Sequence, residues 1–571
     1  MTTPASPDSS STADTTVVEA DRRLLMEANS GGMLKRLGAH TRLSGPGWLQ
    51  SAITLGGGTL AGCLFLGVIG GYEMMWLQPL MMFLGIVMLS AIGYVTLSTG
   101  KRPFAAIRDD LNPVLAWGWL GATVMANLVW AMPQFALGTA AVQQNLLPGV
   151  LDGNNGRIII TIVLAVASLA VVLSSVSGGR GAKIFEWVLK IMVAGIVISF
   201  FGVVAALALS PEGLPWGKIL AGFIPNPSLL FEPAATYRDL IPLTSQPEFW
   251  HDRILTLQRD LMVTGAATAV GINMTFLLPY SMLKRGWDRH FRGQAVFDLG
   301  TGLFIPFVLV TSCVVIAATS RFHGTYDRGL VGEAPATAAT TKLMGSYHEG
   351  LDARIRYDAG PAGATLSSEE LTAKREALPI ADKRLAAMLV QRDAGVLADA
   401  LAQLTGQSTA QLVFGLGVFG MAISTIIVLM LINGYALCEA FDRPGSKRLT
   451  IIGVTLPALT GALGFLFLWG SKNTTVWLAV PTSVFGMALL PIAAITFLFL
   501  MNSPRLLGEH MPRGGKRWGV NILLIAAVGA ATVGASWAIW SKVGWGGVIA
   551  VGVFLGMALV AHVMRGARPK L

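Results

Sequence analysis

Twelve apolar runs constrain this chain more than any other feature: they lie near residues 45–70, 72–98, 114–140, 157–177, 184–209, 260–283, 296–319, 410–438, 449–470, 475–501, 518–541 and 545–564. About 20 residues suffice for a helix to cross the hydrocarbon layer of a bilayer, and each run reaches that length. Inside that layer every backbone N–H and C=O must find a partner within the chain, so only helices and closed barrels can span it. The runs are continuous rather than alternating over ten-residue segments, which argues against a barrel. With 53% hydrophobic and 13% charged residues in 571, the composition is that of a polytopic membrane protein. The expected fold is therefore all-α, with about 12 transmembrane helices.

Basic residues orient these spans. Alternate short connections carry Lys101, Arg102 and Arg108; Arg180 and Lys183; Lys284, Arg285, Arg289 and Arg292; Arg443, Lys447 and Arg448; and Arg505, Arg513, Lys516 and Arg517. With Lys35, Arg36 and Arg42 before the first run and Arg565, Arg568 and Lys570 after the last, they predict both termini in the cytoplasm and a chain in the cytoplasmic membrane. The net charge of +10 is spread over these loops, which fits membrane orientation and lipid headgroups rather than nucleic acid. Residues 1–43 are expected to be a disordered cytoplasmic tail, with a Ser/Thr/Asp-rich start and neither the basic opening nor the apolar core of a signal peptide.

Enzymatic signatures are missing. Cys63, Cys313 and Cys438 all fall within apolar runs without a CxxC or Cys/His spacing, and read as packing residues. The seven histidines are scattered, and no phosphate-binding Gly-rich loop, His-Glu-x-x-His or Gly-x-Ser-x-Gly occurs. The sequence thus predicts neither an enzyme nor a bound cofactor, and any transport is not driven by ATP through this chain.

Two runs are interrupted. Gly56-Gly57-Gly58-Thr59 sits in the middle of the first, and Gly271 follows the small residues Gly265-Ala-Ala-Thr268-Ala in the sixth. Irregular backbone is tolerable at bilayer depth where it lines a protein cavity, so a broken span points to a binding site, although Gly and Ala also let helices pack closely. The breaks lie five spans apart, as expected for two inverted five-helix repeats that each open with a broken helix. The predicted organisation is a first repeat over 44–209, an extracytoplasmic loop over 210–258, a second repeat over 259–501, and two further spans with a short tail over 502–571. Polar residues 320–409 interrupt the second repeat on the outer side. There Ser367 and Glu370 have capping-box spacing and Leu371, Leu378, Leu385, Met388 and Leu389 recur at helical intervals, predicting a small helical cap.

Several segments together resemble the Nramp family of divalent-metal transporters: Gly45-Pro46-Gly47-Trp48-Leu49, Thr99-Gly100-Lys101, Gly222-Phe223-Ile224-Pro225, Gly265-Ala266, Phe322-His323 and Asn502-Ser503-Pro504-Arg505-Leu506-Leu507-Gly508. Their order and spacing over residues 44–541 carry the resemblance. It implies the inverted-repeat fold of LeuT-type transporters and metal uptake that is usually coupled to protons, as in a symporter.

The chain departs from that family where the metal would bind. The family's Asp-Pro-Gly-Asn is similar in place to Gly56, Gly57, Gly58 and Thr59, and its Met-Pro-His-Asn to Val270, Gly271, Ile272 and Asn273. Carboxylate, thioether and imidazole ligands are all gone. The third span, Met125 to Gly138, lacks the family's acidic residues, and Ile452 stands near its buried arginine. What remains at the breaks is backbone and the neutral oxygens of Thr54, Thr59, Thr268 and Asn273. They suit a largely hydrated Mg2+-like ion or a monovalent cation; a polar neutral solute, or an anion at a half-helix N-terminus, is the alternative, as is a transport-inactive receptor or scaffold. Further lining candidates are Asn127, Gln134, Tyr280, Ser424, Thr425 and Ser483. Glu73, Glu186, Asp298 and Glu439 lie near span ends and read as anchors or gate residues.

Overall fold

The computed structural model describes residues 15–176, 179–392, 397, 407–468 and 472–566. Among the described residues the regular structure is entirely helical. Among the described residues ten helices are long and apolar enough to cross a membrane, and two bent pairs raise the total to twelve if each pair is one span.

The first bent pair is α3 (Pro46–Thr54) and α4 (Gly57–Ile69), which meet at 57°. Then follow α5 (Leu77–Thr99), α6 (Pro113–Ala140), α7 (Gly153–Val176) and α8 (Gly179–Ala208). The sixth span consists of α9 (Pro247–Ala269) and α10 (Ile272–Lys284), separated by the extended residues Val270 and Gly271. After it come α11 (Arg289–Phe322), three short helices α12 (Ala338–Ala359), α13 (Ser368–Ala377) and α14 (Ile380–Met388), and the long α15 (Gln407–Ala440). The chain ends with α16 (Lys447–Leu468), α17 (Lys472–Met501), α18 (Gly514–Val543) and α19 (Trp545–Gly566). The second bent pair lies where α17 gives way to Pro504–His510, at 58°.

The broken helices occupy the middle of the bundle. α4 packs on α9 and α11, α3 on α8, α10, α11 and α15, and α5 covers α9 and α10. Cys63, Cys313 and Cys438 are buried free thiols, in keeping with packing roles.

Two expectations need revision. The tail over 1–43 is helical from residue 15 onward, forming α1 (Thr15–Asn29) and α2 (Met33–Leu43) before the first span. Polar composition masked them, since few side chains turn inward: Leu25, Ala28, Ala39 and Leu43 fully, and Val18 and Leu24 in part. The loop over 210–258 ends early, because α9 already begins at Pro247 and carries the sixth span well beyond the bilayer-length run. Residues 1–14, Arg568 and Lys570 lie outside the described residues.

The insert between α11 and α15 contains helices, and Ser367 with Glu370 forms the reciprocal capping box. Leu371, Leu385 and Met388 turn into the protein. This cap is joined to the 210–258 segment by a buried charge: Asp382 accepts from Trp250 Nε1 (2.8 Å), Ser245 N (2.9 Å) and Arg354 Nε (3.2 Å). Arg354 also donates to Ser245 Oγ at 2.8 Å.

Candidate substrate site

Gly56 to Thr59 break the first span because the residues before them leave the helical region: Leu55 has φ −81° and ψ 57°, and Gly56 is extended at φ −112° and ψ −176°. Close approach by neighbours keeps two of the glycines small. A Cβ on Gly56 would stand 2.5 Å from Thr425 Oγ1, and one on Gly57 would stand 2.9 Å from Leu137 and 3.2 Å from Gln134 Oε1. Gly58 is looser, its nearest neighbour being a Thr268 methyl at 3.7 Å.

The second break meets the first directly. Thr54 Oγ1, at the carboxyl end of α3, donates to the carbonyls of Thr268 (2.8 Å) and Ala269 (3.0 Å), at the carboxyl end of α9. Two helix carboxyl ends therefore converge, and the partial negative charge of each macrodipole is focused on the same place. Thr59 Oγ1 donates to the Thr54 carbonyl, and Thr425 Oγ1 donates to the Ala52 carbonyl at 3.3 Å. Hydroxyls thus satisfy the carbonyls released by the break, as buried backbone requires.

The amino ends of the half-helices are covered differently. Gly57 N, the start of α4, donates to Gln134 Oε1 at 3.0 Å. Beside the start of α10, Asn273 Nδ2 donates to Asn127 Oδ1 at 3.2 Å, and the Trp130 ring stands 3.4 Å from where a Gly271 Cβ would be. Thr54, Thr59, Asn127, Gln134, Asn273 and Thr425 are all buried. No cluster of three or more His, Cys, Asp or Glu side chains able to hold a metal exists among the described residues.

Thr54, Gly56, Gly57, Gly58, Thr59, Thr268, Gly271, Asn273, Asn127, Gln134 and Thr425 thus gather around the paired breaks. Val270 is there by backbone alone: its side chain packs on α5, where a Cβ on Gly85 would come within 2.2 Å of Val270 Cγ2. Tyr280 is elsewhere, stacked on Phe276 at 4.5 Å and accepting from Phe104 N at 3.3 Å, with its hydroxyl facing Glu439. Ser424 bonds back to the Met421 carbonyl of its own helix at 3.2 Å. The side chain of Ser483 lies outside the described residues.

One residue escaped the sequence reading. Gln50, fully buried on α3 one turn before Thr54, donates to the Met274 carbonyl at 3.3 Å while its Oε1 has no partner; Asn127 Nδ2 is likewise unpartnered. A carboxamide between Leu49 and Ser51 in an apolar half-helix was the available signal.

The acidic residues near the span ends hold the bundle together. Asp298 of α11 caps α3, accepting from Gly45 N (3.0 Å), Gly47 N (2.6 Å) and Ser44 Oγ. Beside it Arg285 pairs with Glu186 at 2.6 Å, donates to the Leu43 carbonyl at 3.1 Å, and Lys190 donates to the Ser44 carbonyl at 2.9 Å. Glu439 and Asp442 share Arg102 at 3.0 and 2.8 Å. At the far end of α4, the Val68 carbonyl accepts from Tyr237 Oη at 3.0 Å and lies 2.9 Å from His323 Nδ1.

Two broken helices joined at mid-bundle through the Thr54 hydroxyl belong to the LeuT-like inverted-repeat fold of multi-pass membrane proteins. The sequence matches the family described as natural resistance-associated macrophage protein-like (Nramp) over residues 47–351 and 385–539. The chain belongs to the Nramp family, whose members are membrane metal ion transporters rather than enzymes. Among solved structures it is similar to the Eremococcus coleocola manganese transporter in complex with an aromatic bis-isothiourea substituted compound, at 14% identity and TM-score 0.57, covering 98% of this chain and 99% of that one. A mutant of the same transporter aligns at 14% identity and TM-score 0.52, over 92% and 96% of the two chains. No curated protein sequence matches the chain.

Proposed function

We propose that the chain is a secondary transporter that carries a small inorganic cation, a divalent ion such as Mg2+ held largely through its own waters, by alternating access around the paired breaks. The observation that carries this reading is the convergence of the α3 and α9 carboxyl ends at Thr54, Thr268 and Ala269. That place concentrates carbonyl oxygen and negative dipole, which attract a cation and repel an anion. An anion at the start of α4 is disfavoured further, because the Gly57 N–H is already taken by Gln134.

The ligand set bears on how the ion is held. Neutral oxygens offset only part of the hydration lost by a divalent ion, and Mg2+ in particular surrenders its waters reluctantly. No cluster of His, Cys, Asp or Glu side chains of the kind that selects late transition metals exists among the described residues. The two repeats would rock against each other in a bilayer with both termini cytoplasmic and the α12–α14 cap outside. Lacking titratable groups at the breaks, transport would be uncoupled from protons or only weakly coupled.

Flux of Mg2+, Mn2+ and Ca2+ measured separately in proteoliposomes tests the proposal. Uptake of at least one ion above protein-free vesicles is expected. Absence of flux for all three, from protein shown to be folded, would overturn the divalent reading and leave a neutral solute carrier or a receptor.

A further inference from the structure

We propose that Gln50 is a specificity-determining residue of the transport pathway, its carboxamide oxygen being the acceptor that a hydrated cation meets one helical turn away from the paired breaks. Gln50 and Thr54 are four residues apart on α3 and so share one face of that half-helix. Thr54 on this face reaches the carboxyl end of α9, and Gln50, about 6 Å further along the axis, reaches the first turn of α10 at the Met274 carbonyl. The face is thereby turned to both halves of the broken sixth span. Gln50 takes this role only for a cation, so the assignment rests on the function proposed above.

The orientation of the carboxamide is fixed by the protein. Its oxygen and nitrogen are told apart by their partners, and the Met274 carbonyl, 3.3 Å away, can accept only from Nε2. Oε1 is consequently turned away from Met274, fully buried, with no donor among the described residues. The nearby hydroxyls do not supply one, because each donates to backbone: Ser51 to the Gly302 carbonyl at 2.6 Å, Thr54 to Thr268 and Ala269, and Thr425 to Ala52. An apolar side chain of the same size would fill this place without burying an unpaired oxygen, so packing does not account for a glutamine here. A hydrated cation does. Its waters turn their oxygens to the metal and present only polarised hydrogens outward, which suit a lone carbonyl acceptor as they suit the negative helix ends beside it. A neutral oxygen holds such an ion through its shell instead of stripping it, which favours Mg2+, an ion that dehydrates reluctantly.

Uptake of Mg2+, Mn2+ and Ca2+ into proteoliposomes is compared for the wild-type protein, Gln50→Met and Gln50→Glu. Methionine keeps the length of the side chain but has no carbonyl; it should raise the KM for Mg2+ roughly tenfold while moving the maximal rate less. Glutamate puts a charge at the same place and should lower the KM for Ca2+ relative to that for Mg2+, since a carboxylate ligates Ca2+ directly. The Mg2+ concentration that raises the melting temperature in detergent gives a second reading that needs no turnover, and it should increase roughly tenfold in Gln50→Met. If the wild-type protein carries ions but both variants keep its KM values and its ion preference, Gln50 is structural, and the proposal is overturned while the cation reading stands. If the wild-type protein neither carries nor is stabilised by any of the three ions, the cation reading itself is overturned, and the role of Gln50 with it.

Discussion

At Thr54 a single hydroxyl does what the missing ligands cannot: it joins the two breaks while leaving the site uncharged. Thr54→Val keeps the shape but leaves the Thr268 and Ala269 carbonyls without that donor, at about 1–3 kcal/mol. We expect a lower melting temperature and loss of ion flux, with Thr54→Ser restoring both. The glycines separate packing from function. Gly57→Leu and Gly271→Leu should abolish uptake and also lower the melting temperature, since each drives a side chain into space held by Leu137 and Gln134 or by Trp130 and Asn273. Gly58→Ala, with 3.7 Å of clearance, should retain flux within about twofold. Uptake at the wild-type rate by both leucine variants would show that transport does not pass here. The glycine runs made the breaks readable, because unbroken helices disfavour them. Which way Val270, Tyr280 and Ser424 point was not readable, since that depends on the rotation of each helix against neighbours distant in sequence.

For the elements, the central question is what holds the first half-helix. α3 has nine residues, too few to be stable alone, and its amino end depends on Asp298 from α11. Asp298→Asn retains one acceptor oxygen and removes the charge, which should cost roughly 1–2 kcal/mol, seen as a lower melting temperature. The opposite end of the bent pair responds to pH. Burial pushes the His323 imidazole below its ordinary value, so the neutral form is favoured in the closed contact with Val68 and Thr236. As pH falls below the usual histidine range an open imidazole takes up a proton first, and the contact loses stability; above that range nothing changes. Hydrogen-exchange protection factors at residues 66–70, taken relative to the intrinsic rate at each pH, should therefore fall from pH 7.5 to 5.5 more than at α18, and His323→Gln should flatten the difference. Long apolar runs announced the spans, because the bilayer fixes their length. α1 and α2 were hidden because their helicity rests on a few inward side chains.

Over the whole molecule, loops far apart in sequence are fastened by Asp382, whose carboxylate is completely buried against Arg354 and Trp250 and also accepts from the backbone N–H of the exposed Ser245. Asp382→Ala would leave Trp250 Nε1 and Arg354 Nε without their acceptor while Arg354 keeps its pairing with Asp358, at about 1–3 kcal/mol, and limited proteolysis should then cut within 320–392 before the spans. If protons are not coupled, an imposed pH gradient should fail to drive concentrative uptake into proteoliposomes; accumulation that follows the gradient would refute this. Family and architecture were legible in the order of short motifs along the chain. The meeting of α3 and α9 carboxyl ends was only implied by matching repeat positions, and the seating of the cap on the 210–258 segment was not implied at all. The neutral lining of the breaks also has a calorimetric consequence. Ligands that carry no dissociable proton release none when an ion enters. The heat of ion binding should then be the same in buffers of very different ionisation enthalpy.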